Sequence, residues 1–208
     1  MNLYRLKLSE MIDGMKAGEC PFCFIDALFY KWYFKRLIEG VLDEDYKEEW
    51  TKGGGFCPEH TKMLLKQGSA TGHAILYQYL LEDWKERWTQ GDFDCPVCAK
   101  IAKDLADSKK VFAWGLKNDA EFLEEYKKSS GICRGHFVSV YGELDEDLKK
   151  LVVEVQERAF ERLKENLELL LRQHDYNYDG PKNAESLRSW KKAARYYIGG
   201  LDKQYKAR

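Results

Sequence analysis

Residues 95–136 read CPVCAKIAKDLADSKKVFAWGLKNDAEFLEEYKKSSGICRGH. The stretch opens on Cys95-Pro96-Val97-Cys98 and closes on Cys133-Arg134-Gly135-His136, with 34 residues between. Upstream, Cys20-Pro21-Phe22-Cys23 and Cys57-Pro58-Glu59-His60 give the same frame around 33 residues. The four half-sites use all six cysteines of the chain and two of its four histidines. Three thiolates and one imidazole complete a tetrahedral shell for zinc, so the pattern predicts two metal sites with Cys20, Cys23, Cys57, His60, Cys95, Cys98, Cys133 and His136 as ligands.

Between and beyond the half-sites the apolar residues recur at three- and four-residue steps, the period of an amphipathic helix. Tyr4, Leu8, Met11/Ile12 and Met15 form one such face; Ile75/Leu76, Tyr79/Leu80, Trp84 and Trp88 form another. Leu148, Leu151/Val152, Val155, Ala159, Leu163, Leu167 and Leu170 make a long regular stripe. Leu187, Trp190, Ala194, Tyr197/Ile198 and Leu201 make the last. Strand alternation is essentially lacking, and the expected fold class is all-α. Breaks fall at Gly53-Gly54-Gly55, Gly68-Ser69, Gly72, Ser129-Ser130-Gly131 and Asn177-Tyr178-Asp179-Gly180-Pro181.

The two copies share more than ligands. Asp43 and Asp119, Tyr46 and Phe122, Trp50 and Tyr126, and Gly55 and Gly131 stand at equal distances before the third cysteine of each copy. The aspartates suit helix N-caps, and the aromatics lie four apart on one helical face. This is an internal duplication with a period near 75 residues. The expected organisation is a single unit over 1–208, with repeat one at about 1–70 and repeat two at about 71–145. A long helix and a C-terminal docking helix fill about 146–208.

Three half-sites read Cys-Pro, and proline favours the first position of a helix. Ligands three apart in a first helical turn share a face, and a helix N-terminus favours the thiolate. A helix over Pro21 to Glu39 would run about 28 Å. A shorter return helix from about Glu44 to Thr51 and the glycine run are expected to bring Cys57 back to Cys23. Each repeat is therefore expected to close its own site, with pairing between repeats as the alternative. Competing chemistries fit less well. A thioredoxin-like redox pair needs a βαβ setting, and haem attachment needs a histidine where Phe24 and Ala99 stand. An iron–sulfur cluster can accept histidine and stays as an alternative to two zinc ions per chain. Four candidate ligands per site point to closed, structural zinc, because a catalytic zinc keeps an open position.

The chain has 208 residues, 44% of them hydrophobic and 33% charged, which is enough to bury a core. A net charge of −1 gives no overall pull toward nucleic acid or an anionic membrane. The N-terminal segment lacks the apolar core of a signal peptide. No run approaches 18 apolar residues. A cytoplasmic location is expected, where paired cysteines more often bind metal than form disulfides. Residues 182–208 carry eight basic residues (Lys182, Arg188, Lys191, Lys192, Arg195, Lys203, Lys206 and Arg208) against Glu185 and Asp202. This segment reads as a helix docking on the core through Leu187, Trp190, Ala194 and Ile198, with nucleic-acid binding as the less favoured alternative. His73, His174 and the carboxylates Glu157 and Glu161 read as structural or solvated groups. No phosphate-cradling loop, nucleophile elbow or zinc-protease signature is present.

The duplicated Cys-Pro-x-Cys … Cys-x-x-His arrangement resembles a bacterial family of unknown function. The closing Ser189-Trp190-Lys191 … Ala194 … Tyr197-Ile198-Gly199 is similar to that family's C-terminal pattern. The resemblance covers nearly the whole chain and implies a shared fold but no established activity. Some members carry a transporter substrate-binding label, which the lack of a leader, a lipidation site and a two-lobed α/β pattern does not support. The function expected from the residues is a zinc-stapled interaction scaffold for a protein partner. A thiol-based redox or metal sensor that releases zinc is the alternative.

Overall fold

Proline after cysteine and aspartate before an acidic turn start most of the helices where the sequence places them. The computed structural model describes residues 3–82, 84–85, 89, 93–181 and 183–199. Trp88, Lys182, Leu201, Asp202, Lys203, Lys206 and Arg208 lie outside the described residues. Among the described residues there are ten α-helices and no strand. These are α1 (Leu3–Lys16), α2 (Pro21–Glu39), α3 (Glu44–Lys52), α4 (Pro58–Leu65), α5 (Ala70–Glu82), α6 (Pro96–Asn118), α7 (Ala120–Lys128), α8 (Arg134–Tyr141), α9 (Glu146–Gln173) and α10 (Ala184–Ile198).

The duplication is visible element by element. Each repeat runs from a long helix (α2 or α6), through a nine-residue helix (α3 or α7), to an eight-residue helix (α4 or α8). Asp43 caps α3 by accepting from the Asp45 N–H, and Asp119 caps α7 by accepting from the Phe122 N–H. Trp50 and Tyr126 are both fully buried. Cys57 and Cys133 sit at the N-caps of α4 and α8 with nearly the same backbone, φ −60°, ψ 162° and φ −67°, ψ 158°. Arg134 in place of proline leaves that geometry unchanged.

The chain divides into two compact units whose boundaries cut across the repeats. Of the described residues, the first joins 3–25 to 108–199, and the second takes those between 26 and 107. Helix α2 thus begins in the first unit and ends in the second, while α6 begins in the second and ends in the first.

In the first unit α1 buries Leu8, Met11, Ile12 and Met15 of the face its spacing predicts and leaves Tyr4 exposed. Phe112 of α6 stands at the centre, with ring centroids 5.2 Å from Phe22, 5.0 Å from Tyr126 and 5.7 Å from Phe122. Leu148, Val152, Val155, Ala159 and Leu163 of α9 are buried as expected. In the second unit Tyr30, Tyr33, Phe34 and Leu37 of α2 pack with Trp50, Phe56, Met63, Leu64, Leu76 and Val97. The Trp50 Nε1–H donates to the Leu76 carbonyl at 2.7 Å, so this indole is both packed and satisfied.

The last helix differs from its sequence reading. α10 packs on α9 and α8, but the side it buries is Ser186, Ser189 and Tyr196. The expected docking residues Leu187, Trp190, Ala194 and Ile198 are all exposed. The reason is hydrogen bonding. Ser186 Oγ donates to Gln173 Oε1 at 2.8 Å, and the Tyr196 hydroxyl donates to the Ser130 carbonyl. The Tyr196 ring meets Phe160 edge-on at 5.1 Å. These pairs orient the helix by its polar side and leave its apolar stripe outward.

Candidate metal centres

The N-terminus of α2 carries Cys20 and Cys23, and the N-terminus of α8 carries Cys133 and His136. These four residues form one cluster, in which the potential ligand atoms all lie within 4.8 Å of one another. Cys57 and His60 of α4 join Cys95 and Cys98 of α6 in a second cluster of the same tightness. Each cluster lies within one unit and takes one half-site from each repeat.

This corrects the expectation that each repeat closes its own site. The physical reason is length. Nineteen residues of α2 carry the chain about 28 Å, out of the first unit and into the second, and the nine residues of α3 span only about 13 Å. Cys57 is therefore left in the second unit, where the matching shortfall in repeat two leaves Cys95 and Cys98 as its neighbours.

The spacing of the atoms tests what such a cluster can hold. A tetrahedron around zinc, with bonds near 2.3 Å to sulfur and 2.0–2.1 Å to nitrogen, sets sulfurs about 3.8 Å apart and sulfur and nitrogen about 3.5 Å apart. In the first cluster Cys23 and Cys133 Sγ are 3.6 Å apart. His136 Nδ1 is 3.6 Å from Cys20, 3.4 Å from Cys23 and 3.2 Å from Cys133 Sγ. In the second, Cys57 and Cys98 Sγ are 3.8 Å apart. His60 Nδ1 is 3.1 Å from Cys57, 3.4 Å from Cys95 and 3.4 Å from Cys98. Both sets match a single tetrahedral ion. A disulfide needs about 2.05 Å between sulfurs, and all six cysteines are free thiols. Atoms this close leave room for one ion and not for the several irons of a cluster.

Electrostatics point the same way. Burial pushes the Cys20 thiol well above the ordinary range, reinforced by Cys133 and Cys23. Hydrogen bonds from Cys20 and Cys23, against burial, hold Cys133 far below it. In the second cluster desolvation, then Cys95 and Cys57, push Cys98 up to about 12. At Cys57 burial acts upward but is outweighed by the His60 backbone N–H together with Cys98 and Cys95, and the net shift is downward. Three thiols this close cannot all ionise on their own; a divalent cation removes the conflict by deprotonating each thiol it binds.

The two clusters are not equally enclosed. In the first, Cys133 is buried and Cys20, Cys23 and His136 are half-buried. In the second, Cys95 and His60 are buried, Cys57 is half-buried and Cys98 is exposed. Supporting groups differ as well. His60 Nε2 pairs with the Tyr30 hydroxyl at 3.4 Å, which orients the ring. The His136 ring instead stacks on Phe22 at 5.3 Å. Gln156 Oε1 accepts from the Ile132 N–H at 2.9 Å and fixes the approach to Cys133. Tyr30 and Gln156 carried no signal in the sequence, because each partner lies more than twenty residues away in the chain.

The remaining sequence candidates stay apart from both clusters. His73 bridges two carbonyls, with Nδ1 2.8 Å from Ser69 O and Nε2 3.1 Å from Leu64 O. His174 is the C-cap of α9. Glu157 and Glu161 are exposed on the outer face of α9, and Glu154 pairs with Arg158 at 3.8 Å.

The chain belongs to a family of unknown function, DUF6062, whose model matches it twice, over residues 1–92 and 81–204. No curated protein and no solved structure matches it.

Proposed function

We propose, starting from a family without an assigned activity and from two fully ligated clusters, that this protein binds two structural zinc ions and serves as an interaction scaffold for a protein partner. Cys20, Cys23, Cys133 and His136 hold one ion; Cys57, His60, Cys95 and Cys98 hold the other. The observation that carries this reading is the tetrahedral spacing of both ligand sets. Four protein ligands close the coordination shell and leave no position for a reacting water, so the metal stabilises rather than reacts. The six free thiols fit a reducing compartment, and the cytoplasm is the proposed location. No described helix is long and apolar enough to cross a membrane.

Metal analysis of the purified full chain tests the assignment. Two zinc ions per chain are expected, falling to one in Cys57→Ser and in Cys20→Ser. Unchanged metal content and melting in both variants would sink it.

The exposure of Cys98 favours a second reading for the second cluster, a thiol sensor. Peroxide would take two electrons from the Cys57 and Cys98 thiolates, join their sulfurs in a disulfide, and so release the ion. Titration with peroxide in the presence of a zinc chromophore should then release one ion well before the other. Simultaneous release of both would count against sensing.

A further inference from the structure

The outward stripe of α10 assigns this protein a surface that the scaffold reading leaves unspecified. Around the helix axis the described residues form three bands. Ser186, Ser189 and Tyr196 face the core. Next to them around the axis Tyr197, Trp190, Ala194, Leu187 and Ile198 span an arc of about 100°, with Tyr197 73%, Trp190 56%, Ile198 54% and Leu187 40% exposed. Beside that arc lie Lys191, Arg195 and Arg188, all exposed, and the half-buried Lys192. The Lys191 ammonium lies over the Trp190 ring at 5.3 Å, joining the two bands. Glu185 is the one acidic residue of the helix against four basic ones, in a chain whose net charge is −1.

We propose that this face of α10 lies on an anionic lipid bilayer. Leucine and isoleucine enter the acyl boundary, tryptophan and tyrosine sit at headgroup depth, and lysine and arginine meet the lipid phosphates. The stripe is a ridge along an uninterrupted 15-residue helix, a shape that fits a flat surface. A second copy of the chain, paired antiparallel, would set the two basic bands side by side, and paired in parallel would leave both bands without an anionic partner. A nucleic acid would use the cations and the rings but leave Leu187, Ala194 and Ile198 uncovered. The placement is independent of whether the clusters hold zinc.

Co-sedimentation of the full chain with vesicles tests it, with metal content measured on the same preparation. Binding is expected to mixed phosphatidylcholine–phosphatidylserine vesicles and not to phosphatidylcholine alone. Lys191→Gln with Arg195→Gln should weaken it about thirtyfold, at the usual contribution of a cation near an anionic surface. Trp190→Ser with Ile198→Ser should abolish it while helicity and metal content stay unchanged. All four positions are exposed, so folding should survive. Any of these results would overturn the proposal: no preference for anionic vesicles, vesicle binding that ignores the Trp190 and Ile198 changes, or a dimer in solution that those changes dissolve. Oligonucleotide binding lost only with the cations, in place of vesicle binding, would overturn it in favour of a nucleic acid. Zinc loss in Cys57→Ser with vesicle binding intact separates this proposal from the scaffold reading.

Discussion

At the scale of single residues, the eight ligand side chains have neighbours that fix how well they can work. Tyr30 is buried and its hydroxyl meets the far nitrogen of His60. Tyr30→Phe should therefore weaken metal binding at the second cluster by about 10- to 100-fold and leave the first unchanged, as competition with a chelator would measure. Gly131 precedes Cys133 with φ +74°, and a Cβ there would stand 2.5 Å from Gln156 Oε1. Gly131→Ala should cost about 1–3 kcal/mol in denaturant unfolding. Gly135, in α8 with open space around it, is the control; alanine there should be neutral or slightly stabilising. The eight clustered cysteines and histidines were legible in the sequence because residue type and spacing alone mark them. Their supports were not, since a tyrosine or glutamine acquires such a role only through a partner the fold brings to it.

At the scale of elements, local signals read well where they act within one turn. Asp43 and Asp119 cap their helices as the sequence indicates. Asp119→Ala should lower stability by about 1 kcal/mol, seen as a shifted midpoint in urea without a changed slope. The face a helix buries is harder to read. In α9 the buried face follows the apolar stripe, with Gln156 and Gln173 buried beside it, and expectation and structure agree. In α10 the apolar stripe competes with a side carrying Ser186, Ser189 and Tyr196, and hydrogen bonds to Gln173 and Ser130 prevail. Periodicity ranks faces by hydrophobicity and has no means of counting partners on a neighbouring helix.

At the scale of the whole molecule, the ligand pairing is what the sequence left open. Four half-sites allow three pairings, two of which give two sets of three cysteines and one histidine, and path length chooses between those two. Double variants test the choice directly. Cys20→Ser with Cys133→Ser should leave one zinc per chain, because both changes fall on one ion. Cys20→Ser with Cys57→Ser should leave none, although both lie in the same repeat. The stability losses should be close to additive in the second pair and far from additive in the first. The pairing also nests one closure inside another. The inner cluster joins half-sites separated by 34 residues and the outer cluster joins half-sites separated by 109. Closing the longer span costs about 1 kcal/mol more in chain entropy. On a ribosome, too, Cys20 and Cys23 emerge first but must wait for His136, while the inner ligand set is already complete at Cys98. The earliest cysteines of the chain thus wait longest, and for that interval they depend on the cell to keep them reduced and unbridged.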